Sequence, residues 1–249
     1  MNPEKIKELL KHPLTLYAFD TIDSTNTFLK LKAREGEPSV ALAVADSQTG
    51  GKGRLGRSFF SPQGGVYFSV LVDSPGINPG QLTTLAAVSS VRALKAVYGA
   101  DIQIKWVNDL FLNGRKLGGI LCEGILTNGQ IGKTVIGIGI NTSTIAFPEE
   151  LSKIAVSLNS APEPFSRETL VAALVNDLLD SLPGIPGHMD EYKKNCLTLH
   201  QTVRFSLNNV LYTGVAQDID NEGALLVQTD SGLLRVAAGD VSLIYRTQS

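Results

Sequence analysis

Apolar residues recur along this chain in two periods, and each period marks a different kind of element. At helical spacing, Leu85, Val88, Val91, Leu94 and Val97 place one apolar stripe on a helix predicted over residues 82–98. Shorter helices are predicted over residues 2–11, where Asn2 can cap and Pro3 suits the first turn, and over residues 24–34, capped by Ser24 or Asp23. Two more are predicted over residues 167–182 and 188–196. Short apolar runs predict strands at residues 14–19, 40–45, 66–72, 102–107 and 110–112. Two longer runs, 116–126 and 130–141, flank Thr127-Asn128-Gly129 and predict a hairpin, and Asn113-Gly114 marks a tighter one. Strands joined by tight turns pair antiparallel, so the pattern predicts an α+β domain, a mixed or antiparallel sheet with its helices on one side. Residues 142–164, with three prolines and several serines, are expected to form an irregular, mobile loop.

From residue 201 the texture changes. Five short β-type runs, at 203–207, 210–219, 225–229, 233–236 and 241–245, alternate with polar turns and predict a small barrel. The expected division is therefore residues 1–197 and residues 198–249, with the boundary near Leu197.

Composition narrows the function classes. The 249 residues are 43% hydrophobic, enough for one large domain and a small one. A net charge of −2 argues against a general nucleic-acid binder. The two cysteines, Cys122 and Cys196, make neither a disulfide framework nor a metal spacing. A reducing, cytoplasmic setting fits them. No stretch reaches the roughly 18 apolar residues of a membrane span, so no membrane association is expected.

Against that slightly acidic background, Gly50-Gly51-Lys52-Gly53-Arg54-Leu55-Gly56-Arg57 concentrates four glycines and three cations in eight residues. Such a loop can bring backbone close to an anion and surround it with charge. A flexible, solvated basic loop fits the same composition. The usual phosphate-binding patterns fail elsewhere. Gly132-Lys133-Thr134 looks like the end of a Walker motif, but Thr127 stands where its first glycine belongs and a strand follows instead of a helix. Gly137-Ile138-Gly139 lacks the third glycine of a dinucleotide fingerprint. Gly137, Gly139 and Asn141 do share one strand face, which makes either a flat slot for a planar ring or a close packing contact. Lys105-Trp106-Val107-Asn108-Asp109 puts a cation, an amide and a carboxylate at a strand end, or is an ordinary Asn-Asp turn. Lys116 returns toward Asn108-Asp109 across a hairpin; by alternation Lys116 and Gly118 face one way and Leu117 and Gly119 the other. Ser24-Thr25-Asn26 offers polar groups at a helix start, where simple capping is the commoner use. His12, His188 and His200 lie far from these stretches, so a protein nucleophile is not supported.

In this order, Asp23-Ser24-Thr25-Asn26, the stretch from Gln48 to Arg57, Phe60-Ser61-Pro62, Lys105-Trp106-Val107-Asn108-Asp109, the stretch from Gly114 to Leu121 and Gly137-Ile138-Gly139-Ile140-Asn141 resemble the biotin–protein ligases. The resemblance covers nearly the whole chain and implies a class II synthetase-like catalytic domain followed by an SH3-like barrel. It also implies an enzyme that uses ATP and Mg²⁺, converts biotin to biotinyl-5′-AMP, and transfers it to a lysine of a biotin carboxyl carrier protein domain in acetyl-CoA carboxylase or a related biotin enzyme. By motif match, Arg54, Lys116 and Asp109 are implied as catalytic. Ser24, Thr25, Asn26, Gln48, Gly51, Lys52, Gly53, Arg54, Lys116, Gly119, Leu121, Gly137 and Gly139 are implied to bind biotin. Arg54, Arg57, Phe59, Asn108, Lys116 and Asn141 are implied to bind ATP, and Asp109 to serve the metal. Three positions depart from the family pattern: Lys52 replaces an arginine, Phe59 replaces the usual adenine-stacking tryptophan, and Val107 replaces a proline. Too few residues precede Asp23 for the winged helix-turn-helix of the repressor forms, so no DNA binding is expected. A monomer or a homodimer is expected. The competing functions are a lipoate–protein ligase and a non-catalytic biotin-binding module. The retained Arg54, Asp109 and Lys116 argue against the latter.

Overall fold

The computed structural model describes residues 1–36, 40–127, 129–143, 146–158, 166–237, 239 and 241–244. Its helices are α1 (Pro3–Leu9), α2 (Thr25–Arg34), α3 (Pro79–Tyr98), α4 (Glu149–Ser152), α5 (Arg167–Ser181) and α6 (Met189–Asn195). Strands β1 (Thr15–Ile22), β2 (Ala41–Gln48), β3 (Val66–Asp73), β4 (Gln103–Lys105), β5 (Asp109–Leu112), β6 (Arg115–Thr127) and β7 (Gln130–Ile140) form one sheet in the order β1-β2-β3-β7-β6-β5-β4. Only β1 and β2 run parallel. This is the mixed α+β arrangement expected. Strands β8 (Thr202–Leu207), β9 (Val210–Ile219), β10 (Leu225–Thr229), β11 (Gly232–Val236) and β12 (Val241–Leu243) form a second, antiparallel, SH3-like sheet in the order β11-β10-β9-β8-β12. Asn128 of the long hairpin turn, parts of the turn at 238–240 and the end of the last predicted strand lie outside the described residues.

The helices do not all lie on one side. Leu42 and Val44 of β2 and Val66, Val70 and Val72 of β3 point toward α3 and α5, while Ala41, Ala43 and Leu71 point the other way, against Leu29 of α2. Strand alternation thus feeds two cores. A run apolar on both faces and interrupted only by a serine, such as 66–72 with Ser69, is the signature of a strand covered on both faces. Because α2 covers only part of its face, the remainder is open, and the cavity described below is built there.

The stretch expected to be a mobile loop is, over its described part, docked. Lys116 N–H donates to Ile154 O (2.8 Å), Val156 N–H to Lys116 O (2.9 Å) and Leu158 N–H to Asn141 O (3.1 Å), so residues 154–158 run alongside the start of β6 and the end of β7. Residues 144–145 and 159–164 of that stretch lie outside the described residues. The two sheets are joined through Trp106. Its buried indole N–H donates to Gly223 O (2.9 Å) in the turn before β10, and its backbone N–H to Thr198 Oγ1 (2.9 Å). None of the described helices is long and apolar enough to cross a membrane.

His188, at the start of α6, is buried against α3 with Nε2 2.8 Å from Thr84 Oγ1. Burial, helped by the charge of Arg92, pushes its pKa down to about 4. A folded-state value below the unfolded one gives stability that is present above about pH 6.5 and lost as pH falls toward 4. Urea unfolding across that window is expected to show a loss of up to about 3 kcal/mol that His188→Gln largely removes. An unchanged pH slope in that variant would assign the acid sensitivity elsewhere.

Candidate active site

Three cross-strand rows lie on the α2 face, and the first two carry the floor of a cavity. They are Tyr67–Gly139–Gly119, Ser69–Gly137–Leu121 and Leu71–Val135–Glu123, read across β3, β7 and β6, and in the third Leu71 and Val135 are packed against Leu29 of α2. Glycine recurs in the first two rows because other side chains need the space. A Cβ on Gly137 would collide with Asn26 Oδ1, and one on Gly139 would lie 2.6 Å from Phe59 Cε1. The flat slot offered by these glycines is therefore filled from above by the Asn26 amide and the Phe59 ring, which themselves become the cavity wall.

Helix α2 brings in the polar groups. Ser24 caps it, accepting from Thr27 N–H at 3.4 Å, and Thr25 N–H donates to Gln48 Oε1 at 2.9 Å. The residue that caps the helix and the two that follow it thus also line the cavity.

The glycine- and cation-rich loop folds as a small antiparallel finger. Lys52 bridges Ser58, Gly53 N–H donates to Arg57 O (2.7 Å), and residues Arg54–Gly56 make a 3-10 turn at the tip. Leu55 (φ 55°) and Gly56 (φ 75°) are both left-handed there, a pairing for which glycine supplies the low-cost half. Gly51 sits at the base, where a Cβ would collide with Phe59 O, so it packs the finger onto its return strand and does not line the cavity. Arg54 reaches across, donating to Asn108 Oδ1 (3.2 Å) and to Gly239 O (3.4 Å), which lies between β11 and β12.

Lys116 faces the cavity with Gly119, contrary to strict alternation. Leu110 pairs with Gly118 but Phe111 with Lys116, so Leu117 is an extra residue in β6. A bulge of one residue turns neighbouring side chains onto the same face. Lys116 Nζ lies 2.6 Å from Asp109 Oδ1 and passes over the open face of Gly119. Asn108 is held by its amide N–H to Ile120 O (2.9 Å).

The cavity is lined by Ser24, Thr25, Asn26, Gln48, Lys52, Gly53, Arg54, Arg57, Phe59, Asn108, Asp109, Lys116, Gly119, Leu121, Gly137 and Gly139, together with Ser58, Phe68, Ile120 and Ile138. The last four are not expected from the sequence; the apolar ones lie in predicted strands and carry no signal that separates wall from core. Asn141 does not line it. That residue is buried, donates to Val156 O (3.3 Å), and its Oδ1 has no hydrogen-bond partner among the described residues. Lys105 also points elsewhere, toward the Phe111 ring.

Four cations, Lys52, Arg54, Arg57 and Lys116, share this cavity with one carboxylate, Asp109. In a chain of net charge −2 this is a local excess built for an anionic ligand. Neither cysteine lines it; burial pushes the Cys122 thiol up to about 12 and raises that of Cys196, so neither is a ready nucleophile. No cluster of three or more acidic, His or Cys side chains able to hold a metal occurs among the described residues.

A family model described as the biotin/lipoate A/B protein ligase family matches residues 18–141, and one described as the biotin protein ligase C-terminal domain matches residues 198–244. The chain is 33% identical over 237 residues to the bifunctional ligase/repressor BirA of Bacillus spizizenii, covering 90% of this chain and 72% of that protein. It is 30% identical to the biotin–[acetyl-CoA-carboxylase] ligase of Mycobacterium tuberculosis, covering 88% and 85%. Among solved structures, the biotin protein ligase of Aquifex aeolicus in complex with biotin and ATP superposes with a TM-score of 0.79 at 27% identity, covering 92% of this chain and 98% of the other.

Proposed function

The chain belongs to the biotin protein ligase family, and from that premise we propose how its cavity performs the two steps of biotin ligation. In the first step a biotin carboxylate oxygen attacks the α-phosphorus of ATP, and the bond to pyrophosphate breaks. In the second, the amine of a carrier-protein lysine attacks the acyl carbon of biotinyl-5′-AMP, and AMP leaves. The acceptor is a biotin carboxyl carrier protein, as the acetyl-CoA-carboxylase ligase relative implies.

The observation that carries this reading is the cation-rich cavity closed by the finger, with Lys116 and Asp109 paired at its wall. Both reactants of the first step are anions, so the barrier is largely their repulsion. Preorganised cations that cost no reorganisation lower it. Lys116 stands between the two anions and takes up the charge that develops on the α-phosphate. Arg54 and Arg57 hold phosphate oxygens, and Lys52 and Gly53 close over the biotin carboxylate. Ser24, Thr25, Asn26 and Gln48 hold the ureido ring, and Gly119, Leu121 and Gly137 form its walls. Gly51 contributes by holding the finger's base. Phe59 stacks on adenine over Gly139, and Asn141, which lies outside the cavity, holds residues 156–158 beside the end of β7. Asn108 fixes Arg54, and Asp109 fixes Lys116 and then receives the lysine amine.

Mg²⁺ fits this cavity only as a companion of the nucleotide. Asp109 is the one carboxylate lining it and is already paired with Lys116. One protein carboxylate plus substrate phosphates is the usual arrangement for this ion. When bound, it supplies further neutralisation of phosphate charge.

The proposed activity is tested by incubating the protein with ATP, Mg²⁺, a carrier domain and either biotin or lipoate, then weighing the carrier. One added biotinyl group, with no change in the lipoate arm, is expected. A gain from lipoate alone, or none, rejects the assignment. The nucleotide half is tested separately by Gly139→Ala, whose Cβ must push the Phe59 ring aside. The KM for ATP is expected to rise about tenfold, the worth of one stacking contact, with the KM for biotin changing less. An unaltered KM for ATP would remove Phe59 from the adenine site.

A further inference from the structure

The turn that presents Asn108 and Asp109 to the cavity lies between two short strands. Strand β4 ends at Lys105 and β5 begins at Asp109, so residues 106–108 stand outside the ladder. Buried backbone groups there still need partners. Trp106 N–H donates to Thr198 Oγ1 (2.9 Å), Val107 O accepts from the Tyr192 hydroxyl (3.0 Å), and Asn108 O accepts from Ile120 N–H (2.9 Å). Neither Thr198 nor Tyr192 lines the cavity.

Tyr192 is fully buried on α6. Burial pushes its hydroxyl well above the usual phenol range, so it stays protonated and its one hydrogen goes to Val107 O. Helix α6 is itself held in place. Glu191 accepts from Arg92 Nε of α3 (3.0 Å), and just past the end of the helix Leu197 N–H donates to Ile104 O of β4 (2.9 Å).

Peptide units are rigid planes, so the two planes that flank a Cα set the direction of its side chain. At Asn108, Ile120 holds the plane that follows and Tyr192 the plane that precedes. The Asn108 amide N–H donates to Ile120 O (2.9 Å), which leaves Oδ1 to accept from Arg54 (3.2 Å). Without the phenol hydroxyl, Val107 O is a buried acceptor with no donor, a costly state. Rotating the Val107–Asn108 peptide toward another donor relieves it, and that rotation carries Asn108 away from Arg54.

We propose that Tyr192 is a positioning residue: by holding Val107 O it fixes Asn108, and through Asn108 it fixes the Arg54 contact that keeps the finger closed over biotinyl-5′-AMP. This rests on the assignment of the cavity to biotin ligation. A side chain of α6, outside the binding surface, thus governs how long the intermediate is kept.

Tyr192→Phe removes the hydroxyl and keeps the ring. Biotinyl-5′-AMP is formed on the enzyme, and its escape is followed by rapid ultrafiltration. The escape rate is expected to rise about tenfold, the worth of one buried hydrogen bond. The KM for biotin should stay as in wild type, because Ser24, Thr25, Asn26 and Gln48 are carried by α2 and β2. The second arm makes the same change in an Arg54→Gly enzyme. There the contact that Tyr192 serves is already gone, so the added substitution should leave the escape rate within about twofold of Arg54→Gly alone. A merely structural role for Tyr192 predicts that the two increases multiply. Multiplied increases, wild-type escape from Tyr192→Phe, or a Tyr192→Phe enzyme that forms no adenylate overturn the proposal and leave the biotin assignment standing. A wild type that forms no adenylate removes both.

Discussion

Replacing Lys116 by glutamine is expected to slow biotinyl-adenylate formation by about a thousandfold, the scale seen when a group aimed at developing charge is removed. Glutamine keeps the length and a hydrogen-bonding head but not the charge. Two effects then act in the same direction. The α-phosphate loses the cation placed to meet its developing charge. Asp109, which now pairs with Lys116 at 2.6 Å, is left as an uncompensated carboxylate beside two anionic substrates. Both effects are greatest where charge is greatest, in the transition state. The loss should therefore fall on kcat in single-turnover pyrophosphate release, with a smaller change in biotin binding. Lys116→Arg should recover only part of the rate, because the planar guanidinium cannot pass over Gly119 as the ammonium does. The fold should survive, since Lys116 is held by its backbone through Ile154 and Val156. A Lys116→Gln enzyme within tenfold of wild-type kcat would take Lys116 out of the chemistry and leave it as a partner of Asp109 only.

Lys116 also shows where the reach of the sequence ends. Its motif was legible, and so was its return toward Asn108-Asp109, because an Asn-Gly hairpin brings β6 back beside β5 by local rules alone. Its direction was not, because one inserted residue, Leu117, reverses the alternation and leaves no mark on the hydrophobic pattern. The same contrast runs through the rest of the site. Ser24 at the start of α2 and the strands either side of the finger follow from capping and periodicity. That Asn26 occupies the space of the missing side chain at Gly137 depends on two elements separated by most of the domain, and nothing near either residue announces it. Likewise residues 154–158 read as a mobile loop because composition reports local preference, whereas three backbone hydrogen bonds to Lys116 and Asn141 hold them in place. Helices on one side of the sheet was the natural expectation from a single long amphipathic helix. It failed because the apolar runs at 41–45 and 66–72 supply two faces to cover.

Arg54→Gly is expected to turn the enzyme from one that keeps its intermediate into one that loses it. Arg54 is the clasp of the finger, tied on one side to Asn108 Oδ1 at 3.2 Å and on the other to Gly239 O at 3.4 Å. Removing the guanidinium breaks both ties, and charge-assisted bonds of this length together account for roughly a hundredfold in residence time. A fifth glycine in the same eight residues also raises the entropy lost on closing. The chemistry of adenylation need not suffer equally, because Lys116 and Arg57 remain. Biotinyl-5′-AMP, a mixed anhydride that the closed cavity shields from water, should escape about a hundredfold faster and react with any exposed amine. The measurement is biotin incorporation into an unrelated bystander protein with the carrier left out: wild type should leave it unlabelled, and Arg54→Gly should label it in proportion to time and ATP. Adenylate recovered in the filtrate after rapid ultrafiltration checks the same escape directly. If the variant kept its adenylate and labelled only the carrier, closure would have to be credited to Lys52 and the finger's backbone, and Arg54 would be a phosphate ligand with no part in the lid.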